Sequence, residues 1–216
     1  MKNLNEYIEH TLLKQDSACR ETVKLLNEAI EHKFFGVCIK PCTVKMAKEY
    51  LIGTDVKIVT VVGFPLGANK SEVKAYEAKM AIEDGADEID MVINLSMLKN
   101  NMMEEFKRDI ELVREACQDK ILKVIIETDL LTKQEIETAC KICVAAKADF
   151  VKTSTGFVKN GVGAKAEDVE LMHKIVSPHG MRVKASAGIR DKQKALDMIK
   201  AGASRLGTSA SIEIMK

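Results

Sequence analysis

The stretch Met80-Ala-Ile-Glu-Asp-Gly-Ala-Asp-Glu-Ile-Asp-Met-Val-Ile-Asn94 contains the unit from which the chain is built. A helical segment ends on Asp84-Gly85-Ala86, where glycine supplies the left-handed turn that closes a helix. A short apolar run, Glu88–Asn94, follows at once and reads as a strand. Ala201-Gly202-Ala203 repeats the signal just before Ser204–Thr208. Working outward, strand-like runs appear at Ile8–Leu12, Phe35–Ile39, Lys57–Phe64, Glu88–Asn94, Leu122–Thr128, Phe150–Thr155, Arg182–Ala187 and Ser204–Thr208. Helical spacing lies between them: Val23, Leu26, Ile30; Val73, Tyr76, Met80; Phe106, Ile110, Val113, Cys117; Val169, Met172, Val176; Ala195, Leu196, Ile199. Strands alternating with helices imply a parallel α/β sheet, and eight strands invite closure into a (β/α)8 TIM barrel. The competing open, doubly wound sheet would carry a G-x-G-x-x-G turn after an early strand, and the strand–helix units lack it. No linker, charge block or composition break divides the chain, so residues 1–216 are expected to form a single barrel domain.

The charge balance, 33 Lys+Arg against 32 Asp+Glu, points to neither a nucleic-acid nor a membrane partner. No apolar stretch is long enough to span a bilayer and none follows a basic N-terminus as a signal peptide would, so a cytoplasmic location is expected. The six cysteines then read as reduced thiols. Cys140 and Cys143 have redox-motif spacing, but with Ile136 and Ala139 they fall at i, i+3, i+4 and i+7, the core face of a helix. Cys38, at the end of an apolar run, and Cys42 keep both a packing and a chemical reading. His32, His173 and His179 are expected in solvent, His10 in a structural position, and the methionines in packing.

Residues two apart on a strand share a face, so parity sorts the charges. In the fourth strand Ile89, Met91 and Ile93 suit the surface under the helices, which turns Asp90, Val92 and Asn94 to the axis. The fifth strand turns Lys123, Ile125 and Glu127 inward; the sixth Phe150, Lys152 and Ser154; the seventh Lys184 and Ser186. Five ionisable residues, Asp90, Lys123, Glu127, Lys152 and Lys184, thus aim into one interior. Branched apolar side chains normally fill such an interior, and buried charge costs stability. Chemistry at the barrel's carboxyl-terminal mouth explains the group better than a network that only satisfies itself. For Lys123 and Glu127 taken alone, both readings stand.

A strand lysine in an apolar wall is a candidate amine nucleophile that forms a Schiff base with a carbonyl. A free lysine, near 10.4, has to fall toward ~7 for that work, roughly 3 to 4 units at about 1.4 kcal/mol each. Burial supplies part of the fall for Lys152, and the like charge of Lys184 on the next strand supplies more. Asp90 holds the second cation or relays protons through water. Two amines and one carboxylate suffice for class I aldol chemistry, with no cofactor and no metal. A second signal is phosphate. Gly156, Gly188 and Gly207 fall at the ends of the sixth, seventh and eighth strands, with Thr208 and Ser209 beside the last, where barrels commonly bind phosphate through backbone N–H groups.

Motifs along nearly the whole chain resemble the deoxyribose-phosphate aldolase family: Glu9-His-Thr-Leu-Leu13, Val37-Cys-Ile-Lys-Pro41, Thr60-Val-Val-Gly-Phe-Pro-Leu-Gly-Ala68, Gly85-Ala-Asp-Glu-Ile-Asp-Met-Val-Ile-Asn94, Leu122-Lys-Val-Ile-Ile-Glu-Thr128, Asp149-Phe-Val-Lys-Thr-Ser-Thr-Gly156, Val183-Lys-Ala-Ser186 and Arg205-Leu-Gly-Thr-Ser209. The resemblance implies reversible cleavage of 2-deoxy-D-ribose 5-phosphate to acetaldehyde and D-glyceraldehyde 3-phosphate. It makes Lys152 the Schiff-base lysine, Lys184 the group that depresses its pKa, and Asp90 the proton relay. It sets Thr155 near the sugar hydroxyls, and Gly156, Gly188 and Ser209 at the phosphate. A homodimer or higher homo-oligomer is implied as well. Four positions depart from the pattern: Glu9 stands where aspartate is usual, Ala187 and Lys147 where glycine is usual, and Ala210 where a second serine is common. Other readings are a transaldolase-like Schiff-base enzyme acting on another sugar phosphate, and a phosphosugar-binding barrel without catalysis.

Overall fold

In the computed structural model, which describes residues 3–216, eight parallel strands close into a barrel in chain order. They are β1 (Ile8–Leu12), β2 (Gly36–Ile39), β3 (Lys57–Val62), β4 (Glu88–Val92), β5 (Ile121–Ile125), β6 (Phe150–Lys152), β7 (Arg182–Ser186) and β8 (Ala203–Thr208). The helices outside are α1 (Cys19–Glu31), α2 (Val44–Tyr50), α3 (Ser71–Glu83), α4 (Leu95–Lys99), α5 (Met103–Cys117), α6 (Lys133–Ala145), α7 (Ala166–Val176), α8 (Lys192–Lys200) and α9 (Ser211–Met215). β8 returns to pair with β1, Leu206 opposite Ile8, so the sheet has no open edge and the TIM barrel, not the open sheet, is the fold.

Parity works as expected for the outer layer. Ile89, Met91, Val124, Val151 and Val183 pack with Phe106, Ile110 and Val113 of α5 and with Val169, Met172 and Val176 of α7. Ile136, Ala139, Cys140 and Cys143 are all buried on α6. Burial pushes the Cys140 thiol up to about 12, so the pair packs as small apolar groups rather than as thiolates. Inside the barrel the apolar cluster is small: Cys38, Val59 and Val61.

Several strands stop before their apolar runs do. Gly63 turns the chain at φ +64° after β3, and Glu127 takes φ +61° two residues beyond β5. Asn94 does not line the axis; its side chain accepts the Ser96 and Met97 N–H groups and caps α4. β6 ends at Lys152, although Thr153 N–H still donates to the Lys184 carbonyl at 3.1 Å.

α3 faces the other way from its sequence spacing. Val73, Tyr76 and Met80 are 51%, 64% and 39% exposed, while Lys74, Ala78 and Ala81 are buried. Lys74 fixes this orientation. Its Nζ donates to Asp109 Oδ2 of α5 at 2.8 Å and to the Val92 carbonyl at the end of β4 at 2.9 Å. An ammonium buried without such partners would cost several kcal/mol, roughly, so the helix turns its lysine to the one place that supplies them. Likewise α1 buries Thr22, Leu25, Leu26 and Ala29 rather than Val23 and Ile30, and α8 buries Ala195 and Met198 while Leu196 is exposed. His179 is exposed, but His32 stacks on Phe34 and His173 lies against Gly202, both half-buried. His10 points out of the barrel, Nε2 2.8 Å from Glu28 Oε2 of α1. Among the described residues no helix is long and apolar enough to cross a membrane.

Candidate active site

Adjacent strands bring the interior charges into register: Asp90 lies opposite Lys123, and Lys152 opposite Lys184. Asp90 is the centre. Its Oδ2 accepts from Lys152 Nζ and from Lys184 Nζ at 2.7 Å each, and its Oδ1 from Lys123 Nζ at 2.9 Å. Beneath this layer Glu9 accepts from Lys184 and lies 3.5 Å from Lys123 and 3.7 Å from Arg205. Glu88 Oε2 lies 2.5 Å from Lys123 Nζ, and its Oε1 3.7 Å from Arg205. The Arg205 guanidinium sits over the Phe35 ring, 3.3 Å from its centroid, which seals the floor.

Burial alone would push the Asp90 carboxyl up, but Lys123, Lys152 and Lys184 together outweigh it and hold it well below the usual carboxylate range. Burial would likewise strip the proton from Lys184; Asp90 and Glu9 outweigh that and raise it. Lys123 is raised in the same way by Asp90, Glu9 and Glu88 against burial. In the resting site Lys184 and Lys123 are therefore cations and Asp90 an anion. Glu9, Glu88 and Asp90 set three carboxylates against four cationic side chains, Lys123, Lys152, Lys184 and Arg205, so the cluster is one carboxylate short. Lys123 reaches three of these carboxylates, Lys184 and Arg205 two each. Lys152 reaches only Asp90, and it alone of the four lines the open cavity above.

That cavity, about 360 Å³, is lined by Lys152, Thr155, Gly156, Gly188, Gly207 and Ser209, all six anticipated from the sequence, and by Lys14, Phe157 and Arg190. The N–H groups of Gly156, Gly188 and Ser209 find no acceptor among the described residues and are free for an anion. Gly188 is irreplaceable on space, since a Cβ there would meet the Val162 carbonyl oxygen at 2.2 Å. Gly207 differs from expectation. It lies within β8, and a Cβ there would stand 3.0 Å from Lys184 Cε, so its bare Cα makes room for the lysine as well as lining the cavity.

Glu9, where the family pattern has aspartate, is the second residue of β1 and fully buried in the cluster's floor. Ala187 stands at φ +66° and Lys147 at φ +57°, both in the left-handed region that glycine tolerates best. Lys123 and Glu127 separate: the first belongs to the floor, and the second bonds Thr155 at the rim. Cys38, Glu9 and Asp90 bring a thiol and two carboxylates within 4.8 Å of one another, but ammonium groups already engage those carboxylates, so the positive charge a metal would bring is in place. Sequence reading missed Glu88 and Arg205, although parity carries inward orientation from Asp90 to Glu88 and from Gly207 to Arg205. Lys14 and Arg190 gave no such signal, because they lie on loops.

A family model for DeoC/LacD family aldolases matches residues 7–211. A deoxyribose-phosphate aldolase of Streptococcus gordonii is 54% identical over 213 residues, 99% of this chain and 96% of the relative. Among solved structures, an aldolase designated QR15 superposes with a TM-score of 0.93 at 39% identity, over 99% of this chain and 95% of the other. A tetrameric deoxyribose phosphate aldolase from Aeropyrum pernix superposes with a TM-score of 0.90 at 32% identity, over 98% and 89%.

Proposed function

The chain belongs to the DeoC/LacD family of aldolases and is an aldolase of the deoxyribose-phosphate aldolase kind, and from that premise we propose that it reversibly cleaves 2-deoxy-D-ribose 5-phosphate through a Schiff base on Lys152. One observation carries the reading. Lys152 is the single cation of a carboxylate-short cluster that faces the cavity, beside a Lys184 locked as a cation on the same Asp90 oxygen.

The neutral Lys152 amine attacks C1 of the open-chain sugar phosphate. The carbinolamine loses water to an iminium, with Asp90 and an ordered water moving the protons. Loss of the C3 hydroxyl proton breaks the C2–C3 bond; the electron pair flows into the iminium, giving an enamine and glyceraldehyde 3-phosphate. Protonation of the enamine carbon and hydrolysis then release acetaldehyde and regenerate the amine. The unpaired N–H groups of Gly156, Gly188 and Ser209, with Gly207 beside them, suit the 5-phosphate. Thr155, which lines the same cavity as Lys152, suits the sugar hydroxyls. No cofactor or metal enters these steps.

We also propose a cytoplasmic homo-oligomer. Free cysteines, six in the chain, suit a reducing compartment. The apolar stripe of Val73, Tyr76 and Met80 on α3 suits self-association, as does the tetrameric relative.

Incubation with acetaldehyde and borohydride tests the mechanism. Mass spectrometry is expected to find one ethyl-sized adduct, on Lys152; an adduct on another lysine, or none, overturns it. Turnover of 2-deoxyribose 5-phosphate but not of fructose 6-phosphate then separates this enzyme from a transaldolase-like one.

A further inference from the structure

Glu127 belongs to no ion pair of the cluster, yet the backbone is strained to present it: φ +61°, ψ +64°, a left-handed conformation that costs a non-glycine residue roughly 1–2 kcal/mol. Strain of this kind persists only where the surroundings enforce it. Here Glu127 Oε1 accepts the Thr155 N–H at 3.0 Å, and its Oε2 accepts the Thr155 hydroxyl. Glu127 is buried, while Thr155 is half-buried and lines the cavity that holds Lys152.

Hydrogen-bond inventory fixes what Thr155 can do. A threonine hydroxyl has one proton and two acceptor positions. Its proton is committed to the Glu127 carboxylate, which has no proton to give in return. One acceptor position takes the Phe157 N–H at 3.1 Å. What remains is a single lone pair, aimed by a charge-assisted bond. We propose that Glu127 is a positioning residue that locks the Thr155 hydroxyl as an acceptor, so that the site reads a hydroxyl donor on the ligand at this point. A carbonyl, ether or phosphate oxygen set there would face a second lone pair, and its ligand would be rejected. The inference rests on the reading of the cavity as the sugar-phosphate site.

Charged groups near Glu127 are few. Lys152 faces it from β6 and Asp129 from its own turn, the latter held by the Gly163 N–H at 2.8 Å. Burial pushes the Glu127 carboxyl up, against the two Thr155 hydrogen bonds that pull it down. Once protonated, the carboxyl would donate to Thr155, free the hydroxyl proton and reverse the polarity of the site.

Glu127→Gln makes that reversal permanent. Its carbonyl must face the Thr155 N–H, which cannot turn, so its NH₂ faces the hydroxyl. With 2-deoxyribose 5-phosphate, kcat/KM is expected to fall roughly tenfold to a hundredfold. In a Thr155→Val background the same change should cost nothing further, because there is no hydroxyl left to orient. Acetaldehyde has no hydroxyl to read, so borohydride trapping on Lys152 should proceed at the wild-type yield in Glu127→Gln. Wild-type turnover in Glu127→Gln, or full additivity with Thr155→Val, overturns the inference. An absent Lys152 adduct in the wild-type protein instead overturns the parent reading.

Discussion

Replacing Lys184 with methionine removes the fixed cation beside Lys152 while keeping the length of its stem. Both nitrogens bond the same Asp90 oxygen at 2.7 Å, so they lie at most about 5.4 Å apart. At an effective dielectric near 20, repulsion between two such charges is ~3 kcal/mol, or ~2 pH units. Burial does not remove the charge on Lys184, because Asp90 and Glu9 hold it protonated. The acid limb of kcat/KM in Lys184→Met should therefore move up by ~2 units, and activity near neutrality should fall roughly a hundredfold. Removing a carboxylate from the floor must act the other way. Glu88→Gln makes the cluster more positive, and the limb should move down by less, since Glu88 touches Lys123 and Arg205 rather than Lys152. Steady-state kinetics across the neutral range, with thermal melts to confirm folding, measure both shifts. A limb that stays in place in Lys184→Met, or two variants that shift in the same direction, would refute the charge-balance account.

Lys74→Met should destabilise the fold by about 3–5 kcal/mol, because it strands the buried Asp109; a Lys74→Met/Asp109→Leu double variant should recover most of this, and calorimetry that finds the double variant no better would place the defect elsewhere. Ala187→Gly relieves a left-handed alanine, and after the extra chain entropy of glycine it should raise Tm by about 1–4 °C; an unchanged or lower melting temperature would contradict the strain at φ +66°. Tyr76→Glu with Met80→Lys charges the exposed α3 stripe and should shift the proposed homo-oligomer toward monomer in light scattering, with circular dichroism unchanged. Self-association that survives both substitutions would move the interface to another face.

Local signals made much of this molecule legible. Glycine-terminated helices alternating with apolar runs mark eight strands, and period-two parity turns Asp90, Lys123, Lys152 and Lys184 into one interior. The strand ends were less legible, because apolar residues such as Ile93 and Ile126 remain buried after the ladder has stopped. Asn94 and Glu127 lie in those overruns, where parity alone sets a helix cap and a left-handed rim residue on the interior face.

By itself the sequence determined the fold class and which charged residues share the barrel interior, since strand parity and residue chemistry are properties of neighbours along the chain. The tertiary structure alone decided three further things. It turned α3 outward, because Lys74 had to meet Asp109 from a helix 35 residues away. It sank Glu9 to the floor with Lys184, 175 residues distant. It also set Glu127 against Thr155, across two strands. Each depends on a charge finding a buried partner remote in sequence, and only closure of the barrel brings such partners within a hydrogen bond.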